Sequence, residues 1–209
     1  LILKEKIMST RQKTFTTFIV TVAVAMVLGL GVAPIAAKRL NTQSPAELQQ
    51  QRVERGQYLV KIAGCNDCHT PWKLGLNGPE PDMSRMLSGH PETAQLTPVP
   101  SLGKGPWTWT ASATNTAFAG PWGVSYTANL TPERLTGLGI WTEDMFIKTI
   151  RSGRHWGVGR PILPPMPWPM YRNMTDEDLK SVYAYLRTIK PIRNQVPDAV
   201  LAPPPQPAG

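Results

Sequence analysis

Cysteine is almost absent from this chain of 209 residues, which holds only Cys65 and Cys68. A disulfide framework is thereby excluded, and a bridge between two cysteines so close in sequence would be sterically awkward. Histidine is nearly as scarce, with His69, His90 and His155 the full set. A structural zinc site needs four ligands, and adding His90 and His155 to the two cysteines matches no compact finger spacing. Strand and helix patterns do not alternate around the cysteines, which removes a thioredoxin-like redox pair. The formal net charge is +8, yet no Lys/Arg cluster or stripe occurs, so nucleic acid is excluded as a partner. No Ser/His/Asp triad, paired carboxylates or internal repeat can be traced, and no residue is assigned a catalytic role.

What the chain does contain is Cys65-Asn66-Asp67-Cys68-His69, the C-x-x-C-H attachment signature of a covalently bound c-type haem. Residues at i, i+3 and i+4 share one face of a helical turn, so both thiols and the imidazole point the same way. Cys65 and Cys68 can form thioethers with the two haem vinyl groups while His69 supplies the proximal nitrogen to iron. One motif implies one haem c. The porphyrin then serves as the apolar centre, which relaxes the demand for a large side-chain core. Abundant proline (22) and glycine (17) suit long ordered loops wrapped around such a cofactor.

The chain divides into four parts. Lys4, Lys6, Arg11 and Lys13 precede an uncharged run from Phe18 to Ala37, about 20 residues and long enough to span a bilayer as a helix. The flanking positive charge holds the N-terminus in the cytoplasm and sends the rest across. A cut after Ala37 would put Ile35 at the −3 position, which suits a signal peptidase poorly. Residues 1–37 are therefore expected as an uncleaved signal-anchor, a transmembrane helix joining the protein to the membrane, with a cleaved signal as the alternative. Either way the haem domain is exported. The expected location is the bacterial inner membrane with the haem domain in the periplasm, or the soluble periplasm after cleavage. Residues 38–50 form a tether and helix start, 51–192 the haem domain with a loop excursion over 70–128, and 193–209 a proline-rich tail.

Three helices are predicted in the exported part. Ser44, Pro45 and Glu47 form a capping box ahead of a helix running towards Ile62. Gly56 in its interior costs about 1 kcal/mol, and the close approach of another helix would explain it. Thr142 caps a second helix that ends near Gly153, with Trp141 and Phe146 as a hydrophobic staple. Thr175 caps a third, closed by Pro191. Its Leu179, Val182, Tyr183 and Leu186 make an apolar stripe expected to pack on the first helix near Gly56. From Thr70 to Ala128 no helical or strand period is visible. Trp72, Trp107, Trp109 and Trp122 argue against disorder there, and either cover the haem edges or pack the loops on one another.

The second axial ligand is assigned to Met166. It lies in Arg160-Pro161-Ile162-Leu163-Pro164-Pro165-Met166-Pro167-Trp168-Pro169-Met170, where prolines on both sides restrict the backbone to an extended path. Such a loop can present a thioether at fixed distance, and Met/His ligation suits electron transfer at high potential. Met170 shares the loop and is the runner-up. Met83 and Met86 remain open alternatives, and His90 or His155 would instead give a bis-His haem.

The order of haem motif, loop methionine and amphipathic helix ending in Tyr183-Ala184-Tyr185-Leu186-Arg187 resembles class I cytochrome c domains. More specifically, Asn129-Leu130-Thr131-Pro132, Thr136-Gly137-Leu138-Gly139, Trp141-Thr142 and Pro165-Met166-Pro167-Trp168 resemble the haem domains of cytochrome c subunits of bacterial membrane-bound alcohol and gluconate dehydrogenases. The resemblance runs from Gln51 to Pro191. It implies a mainly α, cytochrome c-like helical domain wrapped around one haem, with long irregular loops and one transmembrane helix ahead of it. It also implies Met166 as axial ligand, and a carbonyl of Gly78-Pro79 as acceptor for the proximal imidazole. Those subunits carry three haem motifs where this chain has one, so a multi-haem relay to quinone is not implied. The expected function is a mono-haem carrier of single electrons. Its redox partners would be a dehydrogenase or quinol-oxidising complex upstream, and an oxidase or another cytochrome downstream. The alternative is a haem enzyme or gas sensor with an open or displaceable sixth site.

Overall fold

Local chemistry at Ser44 starts the first helix. In the computed structural model, which describes residues 43–94, 96 and 105–203, helix α1 runs Pro45–Ile62. The Ser44 amide donates to the Glu47 carboxylate at 2.6 Å, and the Glu47 amide donates to Ser44 Oγ at 3.2 Å. These two bonds satisfy donors that every helix start leaves open. A second helix, α2, is the single turn Cys65–His69. Thr142 and Thr175 cap α3 (Glu143–Ser152) and α5 (Asp176–Leu186) as expected, and between them lies the short α4 (Trp168–Tyr171).

The pairing of α1 with α5 forms one wall of the core. Leu59 and Val60 face Leu179, Val182 and Leu186 in a buried cluster that also takes Phe146 and Ile150 from α3. Gly56 sits where the two helices meet. A Cβ there would lie 1.9 Å from the Ser181 carbonyl oxygen and 2.8 Å from Tyr185 Cβ, so only glycine lets the backbones approach this closely. An Arg55–Asp178 ion pair at 2.9 Å also bridges the helices, but at a half-exposed site it adds little.

The expectation of a mainly α domain needs correction. Six strands form two antiparallel sheets among the described residues. β1 (Trp72–Gly75) and β2 (Gly78–Pro81) make a hairpin directly after the haem motif. β3 (Thr110–Ala111), β4 (Ala117–Gly120), β5 (Gly123–Tyr126) and β6 (Val200–Leu201) follow one another across a second sheet. Strands of two to four residues are too short to display the period of two that betrays a strand. Cross-strand bonds and burial of Phe118 and Val124 decide them instead. Gly123 turns the β4–β5 hairpin with φ of 101°, and a Cβ on it would meet the Val200 carbonyl oxygen at 1.9 Å. That leaves room for β6 to lie on the sheet edge. The segment 193–201, expected as the start of a proline-rich tail, is thus woven into the fold, with Asn194 wholly buried.

The transmembrane helix expected within residues 1–37 lies outside the described residues. Among the described residues no helix is long and apolar enough to cross a membrane.

Gly56→Ala should lower stability by about 1–3 kcal/mol, the usual cost of overpacking a rigid contact. Gly105→Ala, at a site with open space around it, should leave the denaturant midpoint unchanged in the same titration.

Candidate functional site

Gly64 takes a left-handed conformation with φ of 68°, which ends α1 and lets the chain restart as α2. The turn is closed by the Asp67 amide donating to the Gly64 carbonyl at 3.0 Å and the Thr70 amide to that of Asn66 at 3.1 Å. Cys65, Cys68 and His69 therefore share one face of one turn. His69 is buried, and its Nδ1–H donates to the Ala128 carbonyl oxygen at 2.8 Å. A carbonyl only accepts, so Nδ1 carries the proton and Nε2 keeps its lone pair. Burial pushes the His69 pKa below its ordinary value, outweighing the opposing pull of the Ala128 bond. Nε2 makes no hydrogen bond with the described residues. A neutral imidazole held by Nδ1 with a bare Nε2 is the form that ligates metal.

The acceptor is not the one expected. Gly78 and Pro79 are paired with Gly75 and Leu74 in the β1–β2 hairpin. Ala128, on the segment after β5, takes that role. A hairpin invisible to periodicity reassigns the bond to a residue far along the chain.

Cys65 and Cys68 form no disulfide with each other. Burial pushes the Cys65 thiol up to about 11, and burial first, then Asp67, raises Cys68 as well. Thiols raised in this way lack the lowered pKa that activates the nucleophile of a catalytic redox pair. Beside them lies a residue with no prior sequence signal. Tyr171, at the end of α4, donates its hydroxyl to the Ala63 carbonyl at 2.6 Å. Burial, with the neighbouring cysteines next, raises its pKa to about 12, so it remains a donor. This bond ties the element following the proline loop to the turn preceding the haem motif.

Met166 is partly buried and packs against the same core cluster as Cys65, whereas Met170 and Met83 are 71% and 55% exposed. Met86 also packs on that cluster. The proline loop is pinned at several points. The Ile162 amide donates to the Gly153 carbonyl at 2.8 Å, Arg154 bridges Pro161, and Ser125 Oγ of β5 donates to the Pro164 carbonyl at 2.6 Å. The Pro164–Pro165 peptide is cis. Prolines made the loop legible in the sequence; its anchor on a strand was not.

Of the remaining histidines, His90 has both ring nitrogens engaged. His90 is fully buried, its Nε2–H donating to the Ala94 carbonyl at 3.0 Å while Nδ1 accepts from Thr116 Oγ1 at 2.9 Å. The His155 ring stands edge-on to Trp141 at 5.2 Å and beside Trp156 at 4.9 Å. Among the described residues no cluster of three or more His, Cys, Asp or Glu could hold a metal ion. Two thiols and one oriented imidazole supply the attachment points and proximal ligand of haem c, and fall short of the four donors that a structural zinc site needs.

No protein-family model matches the chain. The fructose dehydrogenase cytochrome subunit of Gluconobacter japonicus is 30% identical over 150 residues, covering 71% of this chain and 24% of that subunit. The gluconate 2-dehydrogenase cytochrome c subunit of Pantoea cypripedii is 29% identical over 133 residues, 64% of this chain and 22% of its own length. This chain is a relative of dehydrogenase cytochrome c subunits. A third such subunit, that of the quinone alcohol dehydrogenase of Gluconobacter oxydans, is 26% identical over 149 residues, 70% of this chain and 24% of its own. The chain thus spans less than a quarter of the length of each of these cytochrome c subunits. The relation implies haem c, in agreement with the donor set on α2.

Burial pushes the pKa of both His90 and His155 below the ordinary value, with Arg160 adding to the effect at His155. The unfolded chain then binds more protons than the folded one below about pH 6.5, the unperturbed histidine pKa. Stability should hold level above that pH and fall as the solution is acidified through it, before the carboxylates titrate. Denaturant midpoints measured between neutrality and mild acid would check this, and a flat profile would contradict neutral rings at His90 and His155.

Proposed function

We propose that this chain is a mono-haem c-type electron carrier. It takes single electrons from a dehydrogenase or quinol-oxidising complex and passes them to another cytochrome or an oxidase. The observation that carries the reading is the His69 imidazole, locked by Nδ1 to Ala128, on one turn with the free thiols of Cys65 and Cys68. Cys65 and Cys68 would hold the group covalently, and His69 together with Met166, on the pinned proline loop, would hold its iron. When bound, haem c supplies a reversible one-electron couple whose potential depends on axial ligands, hydrogen bonding and burial. With His69 and Met166 both engaged, the chain would deny small oxidants access to the metal and favour electron transfer over substrate chemistry.

The relatives' names tie them to fructose, gluconate and alcohol dehydrogenases, which supports a dehydrogenase as the donor. A periplasmic site of action belongs to the same reading, supported by the order of basic residues and apolar run before Lys38. The mildly basic balance of the part after the apolar run favours an acidic docking face on the partner.

Haem should stay on the polypeptide in denaturing electrophoresis and be lost when Cys65→Ala is combined with Cys68→Ala. Met166→Ala should abolish the charge-transfer band of ferric Met–iron ligation and admit carbon monoxide to the ferrous form. The same result from Met170→Ala would move the ligand along the loop.

Stopped-flow reduction by a co-purified dehydrogenase fraction should be fast and slow as salt is raised, because screening shortens the reach of docking charges. Peroxide turnover by the ferric protein, without electron exchange with any such fraction, would overturn the carrier reading.

A further inference from the structure

The bond from His69 to Ala128 rests on a carbonyl that belongs to neither a helix nor a strand. Its position must come from tertiary ties. On one side Ala128 lies against the segment 87–90. The His90 amide donates to the Thr127 carbonyl at 3.0 Å, and the Leu130 amide to that of Leu87 at 2.9 Å. A Cβ on Gly89 would meet Thr127 O at 2.5 Å and Ala128 C at 2.6 Å, so the two backbones are in direct contact. The Gly89 amide in turn donates to the His69 carbonyl at 2.8 Å. The segment 87–90 is thus a lining between the haem-motif turn and the carbonyl that orients its histidine.

That lining is itself held by one side chain from the far end of the chain. Asn194 is fully buried, and its Nδ2 donates to both the Ser88 carbonyl at 2.7 Å and the His90 carbonyl at 2.8 Å. Its Oδ1 accepts from the Glu92 amide at 3.0 Å and from Arg85 Nη2 at 3.2 Å. Asn129, beside Ala128, repeats the device, donating to the Ile192 carbonyl at 2.8 Å and to Thr136 Oγ1 at 3.1 Å. The Asn194 amide donates to the same Thr136 Oγ1 at 3.1 Å, which joins the two asparagines. Both side chains have their full hydrogen-bonding capacity met, the condition under which a buried amide specifies one geometry.

We propose that Asn194 is a positioning residue for the proximal histidine. Through the carbonyls of Ser88 and His90 it fixes the segment that sets Ala128 O against His69 Nδ1, and so sets the donor strength of the imidazole. The proposal rests on the haem reading above. A firm Nδ1–H bond makes the imidazole a stronger donor and favours ferric iron; a loosened one raises the potential.

The test uses the full chain with haem attached, and follows the His69 ring N–H proton by NMR together with the midpoint potential. Asn194→Ala and the near-isosteric Asn194→Asp, which keeps the shape but loses both donor bonds, should each speed exchange of that proton roughly tenfold, the worth of one hydrogen bond. Both should also raise the potential. Gly56→Ala, in the α1–α5 contact, should destabilise the fold and move neither readout. If the Asn194 variants do not fold, Thr136→Val, which removes only the shared hydroxyl, should shift both readouts in the same direction. Unchanged exchange with haem attached, or an equal change in Gly56→Ala, would overturn the positioning role and leave the haem reading standing. A wild-type chain that carries no covalent haem would overturn both.

Discussion

One hydrogen bond, from His69 Nδ1 to the Ala128 carbonyl oxygen at 2.8 Å, organises the chemistry of this protein. A histidine on a one-turn helix can rotate about two side-chain bonds, and a ligand that wanders makes a poor metal site. The bond fixes the tautomer, frees Nε2, and ties the haem-motif turn to a segment that follows the second sheet. Burial of the ring favours its neutral form. Such a bond works only if the acceptor is immobile, which explains why so much polar architecture gathers around residues 85–92 and 129–136.

The helices and the sheet divide the remaining labour. α1 and α5, in backbone contact at Gly56, carry the apolar core and present the turn Cys65–His69 at the end of α1. The sheet supplies an anchor for the proline loop through Ser125 and an edge on which β6 closes the chain. Tyr171 then joins the end of that loop to the start of the motif. Two segments distant in sequence, the haem motif and the proline loop around Met166, are thus braced against each other by backbone carbonyls rather than by charge. The ion pairs lie at exposed or half-exposed sites and add little by comparison.

Relation to dehydrogenase cytochrome c subunits accounts for the donor set, and the match spans less than a quarter of the length of each of those subunits. The buried asparagines Asn129 and Asn194 close a polar frame through Thr136, Ile192, Ser88 and His90, and the returning strand β6 covers the free edge of β5.

Much of this was legible in the chain itself, for reasons that are local. The capping residues Ser44, Thr142 and Thr175, the glycine at 56 and the stripe Leu179 to Leu186 act within a turn or two of helix, so spacing alone reveals them. The C-x-x-C-H turn is local for the same reason, and the prolines around Met166 restrict their own backbone. What the chain did not disclose are pairings between distant segments. The β-strands are too short for a period, so the region expected as irregular loop folded into hairpins, and the domain is mixed where a mainly α one was expected. The acceptor for His69 moved from Gly78-Pro79 to Ala128, and Asn194, in an apparent tail, became a buried clasp. Hydrogen bonds across tens of residues depend on where backbones meet in space, and only the tertiary structure decides that.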